Sequence, residues 1–283
     1  MPLTPVARIG IIAGTGAFPL HVAQAARAQG HWLCAIALNQ HADPAIAQHV
    51  DAIEWVDFGQ LSQLLKICQR QALTQAVMAG QVTKGALLNP RIAFDPASLQ
   101  LLAKARDMSV NSLLGAVGER LKQAGVELLD SAAFLSDWLP APGPLTKRRP
   151  SEEQWEEIRW GQQVAQTLAA LDIGLTVVVQ KQVVLAVEAM EGTNAAIRRG
   201  AALGQPGVVV VKMARPAQDM RFDLPVIGPQ TIQTLIEVKA SCLAVEARTT
   251  LLLSRPELIA QADAAGLILV AVEPAVLQTA GPA

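Results

Sequence analysis

Short apolar runs alternate with helix-length amphipathic stretches along most of the chain. Arg8 to Ala13 reads as a buried strand, followed by a Gly-rich turn, an alanine-rich helix from about Pro19 to Gln29, and Gly30 as its stop. Further elements are predicted as a strand at Trp32 to Leu38, a helix at about Gln60 to Gln71, a strand at Ala76 to Ala79 and a helix at about Ser112 to Gln123. This alternation predicts a parallel sheet. The pattern breaks over 136–150, where Pro140, Pro142, Pro144, Pro150 and the basic run Lys147-Arg148-Arg149 can continue neither a helix nor a central strand. A linker is placed there, between an N-terminal domain over 1–135 and a C-terminal domain over 151–283.

The second domain opens on a helix from about Glu152 to Leu171, with Ser151 as cap and Glu152 and Glu153 favourable in its first turn. Leu175 to Val179 and Val183 to Ala189 flank Gln180-Lys181-Gln182 and predict a hairpin, although the turn lacks Asn-Gly. Strands at Val208 to Lys212, Cys242 to Val245 and Leu267 to Val272 alternate with helices near Gln230 to Lys239 and Pro256 to Ala264. The fold class is therefore α/β in both halves, a Rossmann-like parallel sheet first and a mixed sheet second. There is no internal repeat, and the residues after Pro274 read as a loose tail.

Composition narrows the chemistry. With 51% hydrophobic residues, the 283-residue chain can fill two cores. Its 23 basic and 24 acidic residues give a net charge of −1, so nucleic acid is not expected as a partner. Cys34, Cys68 and Cys242 lie far apart in apolar segments, as expected of reduced thiols in a cytoplasmic protein. No secretory signal is visible at the N-terminus, and no uninterrupted apolar run is long enough to predict a membrane span. A mean hydropathy of +0.31 fits alanine-rich helices around buried strands, an acyl-chain site or a dimer interface, and composition does not choose among them. His21, His31, His41 and His49 show no HExxH spacing, and neither GxSxG nor GxxxxGK[ST] occurs, which disfavours zincins, serine hydrolases and P-loop enzymes.

Four segments carry candidate chemistry. Gly14-Thr15-Gly16 after the first strand resembles the start of a dinucleotide fingerprint, but Pro19 takes the third glycine position and Asn39 the place of an acidic ribose partner. A nicotinamide enzyme is disfavoured, leaving a phosphate or sugar contact or merely a tight turn. The same choice attends Gly80 and Gln81 in Ala79-Gly80-Gln81-Val82. In E-A-M-E-G-T, Glu188 and Glu191 precede a helix starting at Gly192 or Thr193; carboxylates and free amides there suit a hard cation and a phosphate, or else local ion pairs, as for Arg198 and Arg199. Between Lys212 and Pro225, Lys212, Arg215, Asp219, Arg221 and Asp223 follow a buried strand, a pattern fitting either an anionic substrate with magnesium or structural salt bridges.

Taken in order, A-G-T-G-A-F-P (13–19), A-G-Q-V (79–82), D-I-G (172–174), V-L-A-V-E-A-M-E-G-T (184–193) and R-F-D-L-P-V-I-G (221–228) resemble the LpxI-type UDP-2,3-diacylglucosamine pyrophosphatases. The resemblance covers nearly the whole chain, and its last two segments are the most specific. It implies a magnesium-dependent hydrolase of lipid A biosynthesis, on the cytoplasmic side of the inner membrane, making 2,3-diacylglucosamine 1-phosphate and UMP. It further implies two domains with the substrate between them, a homodimer, and peripheral contact with the inner membrane.

The family's essential aspartate matches Asp223, and its E-A-x-E-G-T stretch matches Glu188, Glu191, Gly192 and Thr193. On this reading Asp223 with Glu188 or Glu191 binds magnesium, or Asp223 orients water as a base. Gly14, Thr15, Gly16, Gly80, Gln81, Gly192, Thr193, Lys212, Arg215 and Arg221 contact substrate. Thr15 stands where the family commonly has Gly, Gln81 where it has Asn, and Asn194 where an acidic residue is frequent, which removes a possible metal-side carboxylate. The competing class is a non-catalytic nucleotide-sugar or lipid-binding protein of the same fold.

Overall fold

Arg8–Ala13 forms β1, and Trp32–Leu38 runs parallel beside it as β2, with Arg8 opposite Trp32 and Ala13 opposite Ala37. The computed structural model describes residues 6–81, 92–104, 110–216 and 218–274. The chain divides into two units: Met1–Ser136 with Asp219–Asp223, and Asp137–Gln218 with Leu224–Ala283.

In unit 1, β3 (Ala52–Val56), β4 (Gln75–Ala79) and β5 (Glu127–Leu128) complete a sheet of order β3-β2-β1-β4-β5, parallel at every described pairing. Helices α1 (Phe18–Ala28), α2 (Leu61–Arg70), α3 (Pro96–Lys104) and α4 (Val110–Gln123) accompany it. Strand order reverses between β1 and β4, and the crevice outside the strand carboxyl ends at such a point is where open α/β sheets bind ligands. In β3, AIEWV, Glu54 interrupts the apolar residues and the strand is only partly buried at the sheet edge, and β5 has two residues; neither carries the apolar run by which β1, β2 and β4 are recognised.

In unit 2 the six-stranded order is β6-β13-β11-β9-β7-β8. Here β9 (Val209–Lys212), β11 (Cys242–Glu246) and β13 (Ile268–Val272) are parallel, while β7 (Thr176–Gln180) runs antiparallel to β9 and pairs with β8 (Val183–Val187) as the predicted hairpin. Its turn places both Lys181 and Gln182 at positive φ, 51° and 59°, the conformation for which Asn-Gly is usually selected. Helices α5 (Glu152–Ala170), α6 (Thr193–Leu203), α7 (Pro229–Glu237) and α8 (Arg255–Ala265) complete the unit, with a parallel pair β10 (Val226–Ile227) and β12 (Leu251–Leu252). Ser151 caps α5 in a reciprocal capping box with Gln154.

The two faces of this sheet fill two separate cores. Val177, Val179, Val209 and Val211 pack with Ile158 of α5, while Val178 and Val210 pack with Ile197, Ile232 and Leu258 on the other side. Burial on both faces explains why β7 and β9 read as continuous valine runs rather than alternating strands.

The Pro-rich stretch 136–150, expected as a linker, is largely built into unit 2, which begins at Asp137. Gly143–Pro144 forms β6 and pairs with the edge of β13, a position where proline is tolerated. The Leu145 N–H donates to Leu269 O (2.9 Å), and the Arg248 N–H donates to Pro140 O (2.9 Å).

Candidate functional site

At the carboxyl ends of β1 and β4, the two glycine motifs turn out to be halves of one clasp. The Gly14 N–H donates to Ala79 O (2.8 Å), the Thr15 N–H to Gln81 O (2.9 Å), and the Gln81 N–H returns to Thr15 O (3.2 Å). The Thr15 hydroxyl adds a bond to Gln81 O (2.9 Å). A Cβ on Gly14 would lie 2.7 Å from Gln81 O, and one on Gly80, at φ +90°, 2.7 Å from Thr15 O. Backbone must approach backbone here, so both positions require glycine. Gly16 is set apart, with open space around it, just before α1, whose N-cap Ala17 provides no side-chain hydrogen bond. An uncapped helix start in this position suits an anionic group.

Asp219–Asp223 interrupts unit 2 in sequence but belongs to unit 1. Asp219 accepts hydrogen bonds from Arg221 Nε (2.9 Å), Nη2 (2.7 Å) and backbone N–H (3.1 Å), and the Asp223 N–H donates to Asp219 O (3.1 Å). The Arg221 guanidinium holds the Asp219 carboxyl below its usual range, and Asp219 in turn raises Arg221. Phe222 packs against the unit 1 core. The Ser131 N–H donates to Met220 O (2.8 Å), and Ser131 Oγ lies 2.7 Å from Met78 O and 2.9 Å from Arg221 O. No pattern in the sequence singles out Ser131. Arg221, expected to contact substrate, is engaged by Asp219 across this turn.

In unit 2 the charged residues gather where β7, β8, β9 and α6 meet. Thr176 is opposite Lys212 in the β7–β9 ladder, and Glu188 and Thr193 follow the end of β8. Lys212 Nζ donates to Thr193 Oγ1 (2.9 Å) and Thr176 Oγ1 (3.3 Å) and lies 3.7 Å from Glu188 Oε2. The Thr193 hydroxyl donates to Glu188 Oε1 (2.9 Å). Burial pushes the Glu188 carboxyl up, but the Lys212 charge and the threonine hydrogen bonds outweigh it and hold the carboxyl below its usual range. With two threonine hydroxyls as acceptors and the Glu188 carboxylate as an ion-pair partner inside the unit, Lys212 is geometrically suited to fixing Glu188 and Thr193.

The D-I-G motif supports the same cluster from below. A Cβ on Gly174 would lie 2.0 Å from Glu188 O, so only glycine lets the entry to β7 pass this close to the end of β8. Asp172 pairs with Arg215 (2.6 Å). Glu191 accepts from Arg199 and, through Oε2, from the Ala189 N–H (3.0 Å), and its carboxyl is held down by Arg199. Arg198 pairs with Glu237 (3.1 Å). Gly192, at φ 82°, is the N-cap of α6 without a side-chain hydrogen bond, and Asn194 Oδ1 is buried without one.

Glu246, at the carboxyl end of β11, is a buried carboxylate absent from the sequence-based candidates. It accepts from the Ala214 N–H (3.2 Å) and Thr249 Oγ1 (2.9 Å), tying down the connection after β9. The signal was a glutamate ending the apolar run C-L-A-V-E.

Among the described residues no group of three or more His, Cys, Asp and Glu is arranged to hold a metal ion. No described helix is long and apolar enough to cross a membrane. Cys34, Cys68 and Cys242 are buried and free; burial pushes the Cys34 and Cys242 thiols up to about 12 and the Cys68 thiol to about 11, away from thiolate chemistry.

A Rossmann-like unit with a glycine clasp at its switch point, joined to a mixed-sheet unit with buried charges at its strand ends, defines a two-domain α/β protein with both candidate clusters beside strand termini. Comparison with known sequences specifies the family. The LpxI N-terminal domain matches residues 8–138 and the LpxI C-terminal domain matches residues 141–270. The chain is also 30% identical over 278 residues to the UDP-2,3-diacylglucosamine pyrophosphatase LpxI of Caulobacter vibrioides, covering 94% of this chain and 98% of that relative. This chain belongs to the LpxI family.

Proposed function

We propose that this protein is a cytoplasmic hydrolase of lipid A biosynthesis that cleaves the pyrophosphate of UDP-2,3-diacylglucosamine to UMP and 2,3-diacylglucosamine 1-phosphate. The observation that carries the reading is end-to-end similarity to a relative named for this pyrophosphatase activity. The positions of the charged groups at strand carboxyl ends support it, because such ends are where α/β proteins bind phosphate-bearing ligands.

In the proposed reaction a water oxygen bonds to one phosphorus, the bridging P–O bond breaks, and the departing phosphate leaves with the electron pair. Asp223 is central, as a metal ligand or as the base that takes the water's proton; both roles need a carboxylate beside the phosphate. The uncapped starts of α1 and α6 supply backbone amides suited to phosphate oxygens. Lys212 acts by holding Glu188 and Thr193 in place.

Magnesium belongs to the same proposal. Its usual complement is one or two carboxylates beside substrate phosphates and water, so a larger protein cage is unnecessary. By their chemistry the carboxylates of Asp223, Glu188 and Glu191 are hard oxygen donors; within unit 2, Glu188 Oε2 accepts no hydrogen bond, whereas Glu191 is engaged by Arg199. When bound, the ion supplies charge neutralisation on the pyrophosphate oxygens. Homodimer assembly and peripheral contact with the inner membrane complete the reading, checked by sedimentation and vesicle flotation.

The test is to incubate purified protein with UDP-2,3-diacylglucosamine and magnesium and to follow UMP. The wild type is expected to release UMP, chelation to suppress release, and Asp223→Ala to abolish it. No release by the wild type, or undiminished release by the variant, overturns the proposal. Binding without turnover would identify a non-catalytic nucleotide-sugar-binding protein.

A further inference from the structure

We propose that Ser131 is a positioning residue for Asp223, an inference that rests on the hydrolase reading above. Ser131 is 2% exposed and holds the Asp219–Asp223 segment by both its backbone and its side chain. Its N–H donates to Met220 O (2.8 Å), and its hydroxyl lies 2.9 Å from Arg221 O and 2.7 Å from Met78 O. Met78 is the penultimate residue of β4, directly before Ala79 and the Gly80 half of the clasp. One hydroxyl proton thus serves two carbonyls, one on the central sheet and one on the segment, two residues before Asp223.

The other contacts of the segment leave this bridge a distinct task. The Asp219–Arg221 pair and the Asp223 N–H to Asp219 O bond shape the turn from within but do not attach it to the sheet. Phe222 anchors the turn in the core through nondirectional apolar contact. Among the described hydrogen bonds, those of the Ser131 hydroxyl join the segment at Arg221 O to β4 at Met78 O, so this hydroxyl ties the turn to the strand end. A carboxylate that must lie beside a phosphate is sensitive to such placement.

The experiment compares Ser131→Ala and Ser131→Thr with the wild type by steady-state UMP release and by hydrogen exchange of amides 220–223. Ser131→Ala is expected to lower kcat roughly 10–100-fold, the loss that follows from displacing a reacting group by about an ångström, with KM nearly unchanged. Exchange over 220–223 is expected to rise while β9 and β11 stay protected, and Ser131→Thr, which keeps the hydroxyl, to recover much of kcat. In an Asp223→Asn background, Ser131→Ala is expected to have little further effect on kcat, because its target has been altered. Unchanged exchange, raised exchange with unchanged kcat, or independent effects of the two substitutions would overturn the proposal. If the wild type itself releases no UMP, the hydrolase reading fails, and the exchange measurement separately decides whether Ser131 holds the segment.

Discussion

Lys212→Met removes one charge from a buried ion pair of unit 2. The Lys212 and Glu188 side chains are 6% and 13% exposed and 3.7 Å apart. At an effective dielectric constant of about 20, that separation corresponds to roughly 4–5 kcal/mol of attraction, close to the roughly 3–5 kcal/mol lost when one partner of a buried pair is deleted. A loss of about 4 kcal/mol is therefore expected near pH 8. It is measured by urea unfolding, with native-state hydrogen exchange of β9 amides assigning the loss to unit 2.

The pH dependence carries a definite sign. In the wild type the Glu188 carboxyl is held below its usual range, so its stabilising contribution is present above the unfolded pKa and is lost as pH falls through the lower folded value. Without Lys212, burial acts with less opposition and shifts the carboxyl upward, so the penalty is largest at high pH and is relieved by protonation. The gap between wild type and variant should narrow between about pH 8 and about pH 5. Adding Glu188→Gln to Lys212→Met should recover more than half of the loss. A loss below about 1 kcal/mol, the value for an exposed pair, would refute the buried-pair reasoning. A gap that fails to narrow, or a double variant worse than the single one, would refute it too.

Two further outcomes follow from backbone geometry. Gly174→Ala sets a methyl 2.0 Å from Glu188 O, which is backbone and cannot rotate away, so unit 2 should lose more than about 3 kcal/mol; an unchanged urea midpoint would contradict the close approach. Gln182→Gly relieves a left-handed residue at φ 59° and should stabilise by about 1 kcal/mol, raising Tm by about 2–4 °C in calorimetry.

The central strands are legible as sequence because a strand covered on both faces must be apolar along its length, as VVV of β9 and CLAV of β11 are before their terminal Lys212 and Glu246. The edge strand β3 and the two-residue strands β10 and β12 lack that signature, since they exist through pairing with a neighbour. The candidate site divides in the same way. Its residue types, glycines after strands and a charged stretch from Lys212 to Asp223, stand in the sequence. Their partners do not: Gly14 and Gly80 require each other across a clasp, Lys212 takes Glu188, and Arg215 takes Asp172. The stretch that reads as one charged cluster is split, with Lys212 and Arg215 in unit 2 and Asp219–Asp223 in unit 1. The sequence by itself determined which segments are apolar and which charges exist, because those are local properties of the chain. Only the tertiary structure decided which partner neutralises each charge and which unit holds Asp223, because strand register, the packing of Phe222 on the unit 1 core and the bond from Ser131 to Arg221 O depend on residues distant along the chain.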